Sequence, residues 1–488
     1  MTSSRSGNAA DACPPPRPEG LAAREFLISY PVVCHGLGLS NPAAKCEVIF
    51  ARALRSTARS PGPQEALATY GLFDYSRGMR IGIVGARLAG AYSALLLLTQ
   101  GHEVFLFDPA PDGEKPCGGG ITGKAVRTFP WILETVLPRN DISMLELTTQ
   151  DGRSAAMGLR QPIHVFSRAL LDGALRHCSI RAGARFIPQR VHRVLPRSCG
   201  WSIVTSLREQ YNVDFLIGAD GANSAIRTVV SNRLEGRDLS LALGFYLPGV
   251  HHPNRILVCF QEKGFHGYLW SFPRTNHASV GIVHPLAGIR TAEMRHRLAA
   301  FIAERYPGHV SCPSRFFAAR VPCLRRRTLV NQHVCGRNWA LVGDAAGFVD
   351  ALTSEGISFA LRSAQLMAQS LEEGNSTTYE EHWRADFGLD LERAAVWRDT
   401  FYDGALLNRS IPSRMVQMIR GSATVRRIAD RLICGRHSYP EMRARLLSRS
   451  PIILAEAMWS RLFRGAAGWV TGSMPRLHSA RKNPLLPG

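Results

Sequence analysis

The stretch from Arg80 to Asp108 restricts the fold more than any other part of the chain. Ile81, Ile83 and Val84 form a short apolar run, Leu88 to Leu98 have helical composition, and Val104-Phe105-Leu106-Phe107 is a second apolar run closed by Asp108. Strands this continuously apolar suit a parallel sheet covered on both faces. Between the first strand and the helix stands Gly85-Ala86-Arg87-Leu88-Ala89-Gly90. At such a turn a first glycine permits the tight bend, a middle glycine lets a pyrophosphate approach, and a third lets the helix pack on the strand. The helix N-terminus then presents N–H groups to the phosphates, and an acid closing the next strand takes ribose hydroxyls. Here the first and third positions are glycine and the middle one is Arg87. A side chain there crowds a pyrophosphate unless its guanidinium swings outward or pairs with a phosphate. Taken alone, the segment also reads as a plain α/β turn.

Two later segments repeat the arrangement of apolar strand, acid, glycine and helix. One is Asp214-Phe215-Leu216-Ile217-Gly218-Ala219-Asp220-Gly221, followed by Arg227. The other is Ala340-Leu341-Val342-Gly343-Asp344-Ala345-Ala346-Gly347, followed by Thr353-Ser354-Glu355-Gly356-Ile357. Each could be an ordinary junction, but three in this order and this widely spaced are hard to obtain by chance. From about 140 to 160 and 238 to 285 the apolar pattern alternates, so Ile256-Leu257-Val258, Tyr268-Leu269-Trp270 and Ala278 to Val283 read as strands of a separate antiparallel sheet. From Thr353 onward the composition is mostly helical. Residues 1–78, with Pro14-Pro15-Pro16 and Pro18, read as a poorly structured extension, and Met79 before the first strand as a candidate true start.

Composition excludes several classes. Hydrophobic residues at 45% and charged ones at 20% rule out wholesale disorder, collagen and coiled coil, and 488 residues suit two or three domains. The longest apolar candidate for a membrane span, Ile81 to Leu98, is broken by Arg87 and Gly90. The net charge is +21, yet only five of the 59 basic residues are lysine. The arginines are scattered, apart from Arg325-Arg326-Arg327 and the region from Arg409 to Arg481. That distribution argues against nucleic acid and leaves open contact with an anionic membrane surface. Eleven cysteines include no Cys-x-x-Cys pair and no Cys/His zinc spacing, so no metal is expected and a reducing cytoplasm is.

The three glycine segments resemble those of the FAD-dependent oxidoreductases with the p-hydroxybenzoate hydroxylase fold. The resemblance implies that Gly85, Ala86, Ala89 and Gly90 hold the FAD pyrophosphate, Asp108 the adenosine ribose, and Gly343 and Asp344 the ribityl chain. It implies that Asp220 supports the nucleotide, that Gly356 and Ile357 open a helix toward the flavin pyrimidine edge, and that Arg168 lies on a helix beside the cofactor. Two further segments narrow it to the geranylgeranyl reductase branch. Lys115-Pro116-Cys117-Gly118-Gly119-Gly120 is similar to that branch's Cys-Gly-Gly loop beside the isoalloxazine. Tyr268-Leu269-Trp270-Ser271-Phe272-Pro273 is similar to its Tyr-x-Trp-x-Phe-Pro motif on the substrate sheet. Ala351 and Ser354 stand where the branch has proline and glycine, which implies a differently shaped flavin-facing loop.

The fold class that follows is α/β: a Rossmann-like FAD-binding domain with a discontinuous parallel sheet (79–140, 161–235 and 330–365), an antiparallel-sheet substrate domain (141–160 and 236–329), and a C-terminal helical region (366–488). The function implied is reduction of carbon–carbon double bonds of a polyprenyl lipid, prenylated quinone or pigment. Electrons would come from NAD(P)H or ferredoxin, with Cys117, Gly118 and Gly119 at the reacting centre and Tyr268, Trp270, Phe272 and Pro273 against the substrate. The expected location is cytoplasmic, with possible peripheral membrane contact. Other readings stay open: a monooxygenase or halogenase of the same fold, or a relic without catalysis. The aromatic stripe could be packed core, Cys117 a small loop residue, Glu355 a plain helix N-terminal charge, and the basic tail a helical cap on the substrate domain.

Overall fold

The computed structural model describes residues 78–109, 112–250, 254–261, 265–309, 315–406 and 409–470, so the expectation for the proline-rich start lies outside the described residues. Its first sheet has six strands, in the order Cys335–Gly336, Trp339–Leu341, Phe215–Gly218, Arg80–Val84, Glu103–Phe107 and Arg185–Ile187. All neighbours are parallel except the outermost antiparallel pair at 335–341. The apolar runs are buried along nearly their whole length, as a sheet covered on both faces requires.

One cover is the Leu88–Thr99 helix, buried all round from Leu88 to Leu97 and packed against the Arg168–Arg181 and Ile357–Glu372 helices. The other cover is a three-stranded antiparallel sheet, Val191–Pro196, Trp201–Thr205 and Gln210–Val213, inside a region expected to be parallel. It explains the glycine in the first strand. A Cβ on Gly82 would stand 2.4 Å from Ile203 Cδ1 of that sheet. Tyr211 of the same sheet meets the edges of Phe105 and Phe107.

The second sheet has eight strands: Arg315–Pro322, Leu239–Pro248, His277–Pro285, Tyr268–Pro273, Arg255–Phe260, Arg139–Thr149, Ser154–Phe166 and Gly120–Ile121. It departs from the sequence reading in two ways. Arg255–Phe260 runs parallel to Arg139–Thr149, so the sheet is mixed. It also takes residues 120–121, 139–140 and 161–166 from the segments assigned to the cofactor domain, because the 13-residue strand Ser154–Phe166 continues until Val165 pairs with Gly120. The Thr291–Arg305 helix covers one face, with Met294, Leu298, Phe301 and Ile302 against Leu269, Val280 and Ile282. The opposite face meets the C-terminal helices, where Val416, Ile419, Val425 and Ile453 share a core with Ile142, Leu145 and Ile163. The helical tail is thus a cap on the second sheet. Among the described residues no helix is long and apolar enough to cross a membrane.

Candidate active site

A cavity of about 1330 Å³ runs along the junction of the two sheets and beneath the C-terminal helices. It begins at the first glycine turn. Gly85 has φ of 104°, and a Cβ there would lie 2.3 Å from the Ala219 carbonyl oxygen. A Cβ on Gly90 would lie 1.8 Å from the Gly85 oxygen, so this glycine serves helix packing, buried behind the lining with Ala86. The helix starting at Leu88 has no side-chain cap and no acid in its first turn, which leaves its first N–H groups to an anion. Asp108 lines the cavity and accepts from the Ala86 N–H at 2.9 Å.

Arg87 does not stand over the turn. Its Nη1 donates to the Gly113 carbonyl at 3.1 Å and to Asp172 Oδ2 at 3.3 Å. Asp172 is fully buried and also receives Arg168 Nε at 2.8 Å and Nη2 at 3.0 Å. Arg168, only 3% exposed, is a strut rather than a free hand. Burial opposes its charge, yet Asp172 and the Cys117 thiol beside it hold its pKa above the ordinary value.

Asp220 accepts from Ala225 and Ile226 N–H at 2.7 and 3.2 Å, capping a short helix while lining the cavity. Asp344 Oδ2 receives Lys115 Nζ at 2.7 Å. Gly343 sits behind it at φ 58°, its N–H on Ser363 Oγ. Gly356 and Ile357 open the 16-residue helix Ile357–Glu372 onto the cavity, again without a side-chain cap.

The Cys117 loop is pinned by its backbone. Its neighbour Lys115 offers a carbonyl to the Tyr246 hydroxyl at 3.0 Å, and the Cys117 carbonyl accepts from Arg274 Nη2 at 2.9 Å and Ser279 Oγ at 3.0 Å. Gly118, Gly119 and Gly120 line the cavity, and the Phe272 ring packs on the loop, since a Cβ on Gly118 or Gly120 would stand 2.9 or 2.8 Å from it.

Tyr268, Trp270 and Phe272 all face the cavity, as their alternation implied, whereas Pro273 is not among its lining residues and offers its carbonyl to Asn140. Burial pushes the Tyr268 phenol up to about 12, and its hydroxyl donates to the Thr353 carbonyl at 2.6 Å. Next in that loop Ser354 holds φ of 59°. A non-glycine residue in this left-handed conformation costs about 1 kcal/mol.

Two acids flank it, Asp350 buried and Glu355 half-buried. Asp350 accepts from Leu352 and Thr353 N–H and from the Tyr439 hydroxyl at 2.8 Å. Glu355 lines the cavity, with Oε1 accepting from Ser358 Oγ at 2.8 Å and Thr122 Oγ1 at 3.3 Å. Burial raises the Glu355 pKa, Asp350 adds to the rise, and Lys124 works against it.

Beyond the aromatic stripe the cavity is an apolar chamber. Leu147, Ile163 and Val258 form its floor, and Met415, Met418, Val425, Leu432 and Leu446 its roof. These roof residues were missed in the sequence. Their spacing marks an amphipathic helical stripe, but a stripe does not say what it covers.

No family model matches the chain. It is 29% identical over 334 residues to a geranylgeranyl diphosphate reductase of Synechocystis, covering 60% of this chain and 75% of the relative. It is 25% identical over 352 residues to a digeranylgeranylglycerophospholipid reductase of Methanococcoides burtonii, covering 66% and 83%. Among solved structures, a geranylgeranyl bacteriochlorophyll reductase-like protein of Thermoplasma acidophilum superposes with a TM-score of 0.62 at 20% identity, covering 76% of this chain and 99% of that one. A flavin-dependent brominase superposes with a TM-score of 0.58 at 15% identity, covering 77% and 98%. The shared fold is that of FAD-dependent oxidoreductases.

Proposed function

We propose that this chain, a relative of the geranylgeranyl reductases, is an FAD-dependent oxidoreductase that saturates carbon–carbon double bonds of a polyprenyl lipid, prenylated quinone or pigment. One observation carries the reading: the cavity joins an uncapped helix N-terminus to an apolar chamber without a break. The glycine cradle at 85–90, the open helix starts at Leu88 and Ile357, and Asp344 fit FAD. Bound there, the flavin supplies hydride.

An isolated alkene is not polarised by a carbonyl, so orientation and exclusion of water must do much of the work. The chamber walls hold the chain in a dry slot, and the Phe272 ring on the Gly118–Gly120 loop limits where a double bond can stop. The second carbon needs a proton. Glu355 is the candidate donor: Oε1 is taken up by Ser358 and Thr122, Oε2 makes no hydrogen bond among the described residues, and burial raises its pKa, which favours the acid form. Cys117, which interacts with the buried Arg168, would tune the reacting centre. The electron donor, NAD(P)H or ferredoxin, would bind transiently.

Access from a membrane surface fits the last two helices. Leu447, Ile452, Leu454, Met458 and Trp459 are exposed there, beside Arg443, Arg445 and Arg449. Flotation with anionic liposomes tests this part, and a protein that stays at the bottom of the gradient refutes it.

The experiment for the activity is anaerobic incubation of the reduced, FAD-loaded protein with geranylgeranyl lipids and prenylated quinones. Products heavier by one hydrogen pair per bond are expected. An unchanged mass across the panel overturns the proposal. Turnover without oxygen also separates it from brominase-type or monooxygenase chemistry.

A further inference from the structure

We infer that Arg87 is itself a cofactor-binding residue, supplying to the FAD pyrophosphate a positive charge in place of the close backbone approach a glycine would allow. The inference rests on the cofactor part of the proposed function and on three observations.

The first is position. Arg87 is the N-cap of the Leu88–Thr99 helix, whose leading N–H groups are uncapped, and it lines the cavity between Gly85 and Leu88. The second is charge. Two guanidinium groups share the single carboxylate of Asp172, so the cluster carries one excess positive charge. Arg168 already occupies both Asp172 oxygens at 2.8 and 3.0 Å, and Arg87 adds a longer 3.3 Å contact from the open side. The third is free valence. Only Nη1 of Arg87 is engaged; Nε and Nη2 donate to nothing among the described residues, and the side chain is 28% exposed.

A cation tethered on one nitrogen, with two donor nitrogens unspent beside an uncapped helix start, is arranged to receive an anion. The tether to Gly113 and Asp172 also holds the Nη1 end of the side chain on those two partners. The added contact therefore falls to Nε and Nη2.

The test is FAD binding to the full-length apoprotein, read by quenching of flavin fluorescence at low and high salt. Arg87→Ala should weaken binding roughly tenfold at low salt, with the gap narrowing at high salt as screening removes the charge contribution. Arg87→Lys should recover part of the loss. Thermal melting of the apoproteins is the control: Asp172 keeps both bonds to Arg168, so the midpoint should barely move. If the alanine variant does unfold, the salt dependence of wild-type binding and the lysine variant decide instead. Arg87→Gly binding FAD as tightly as the wild type, or tighter, overturns the inference and makes Arg87 an obstacle. A wild type that binds no FAD overturns both this inference and the cofactor reading.

Discussion

The two ends of the cavity are built on opposite principles. At the phosphate end the turn is fixed by backbone, and glycine is required because other atoms already occupy the space a Cβ would take, as at Gly85 and Gly90. At the chamber end the walls are side chains from distant segments, with methionine and branched residues giving a surface that can adapt. One end tolerates almost no substitution, and the other should trade selectivity for stability gradually.

The largest break in that contrast is expected at Gly85. Alanine there combines a positive φ with a 2.3 Å approach to backbone oxygen. It should cost about 3 kcal/mol or more of local structure and abolish flavin retention on desalting. An alanine variant that keeps its yellow colour would show that the turn is not a rigid cradle.

Glu355→Gln comes next. It should lower kcat by about 10²-fold or more while leaving bound FAD unchanged. The folded pKa is raised, so the acid form is present below that pKa and lost as pH rises through it. Wild-type kcat should accordingly fall toward alkaline pH, and the glutamine variant should lose that limb. A full-rate variant with the wild-type profile would remove Glu355 from the chemistry.

Smaller effects are expected in the roof. Met418 is only partly buried and faces the chamber, so Met418→Ala should cost about 1 kcal/mol or less. It should raise KM or shift which double bond is reduced, with kcat for the preferred bond little altered. The smallest effect belongs to Ser354→Gly, which relieves a left-handed serine and should leave the melting midpoint unchanged or raise it slightly. A marked fall would mean the serine hydroxyl holds the loop.

What the sequence revealed follows the same division. The three glycine turns and the Tyr268–Phe272 stripe were legible because turn chemistry and strand alternation are local. The tether of Arg87 was not, because its partner Asp172 lies 85 residues away and nothing in the helix around Asp172 announces a buried acid. The three-stranded cover at 191–213 was hidden for a similar reason: Gly82 records that something packs over the strand, not what. The roof helices were visible as helices, but pairing them with the strands at 139–166 requires the fold. Phe272 lying on Gly118 and Gly120 joins two motifs that were each legible, through a contact that neither one implies.

The most direct measurement follows the flavin spectrum of the reduced, oxygen-free holoprotein as a geranylgeranyl lipid is added. The account predicts that the oxidised bands return in step with the saturated product, one equivalent of flavin per bond. Bands that stay bleached while the lipid remains unsaturated would contradict it.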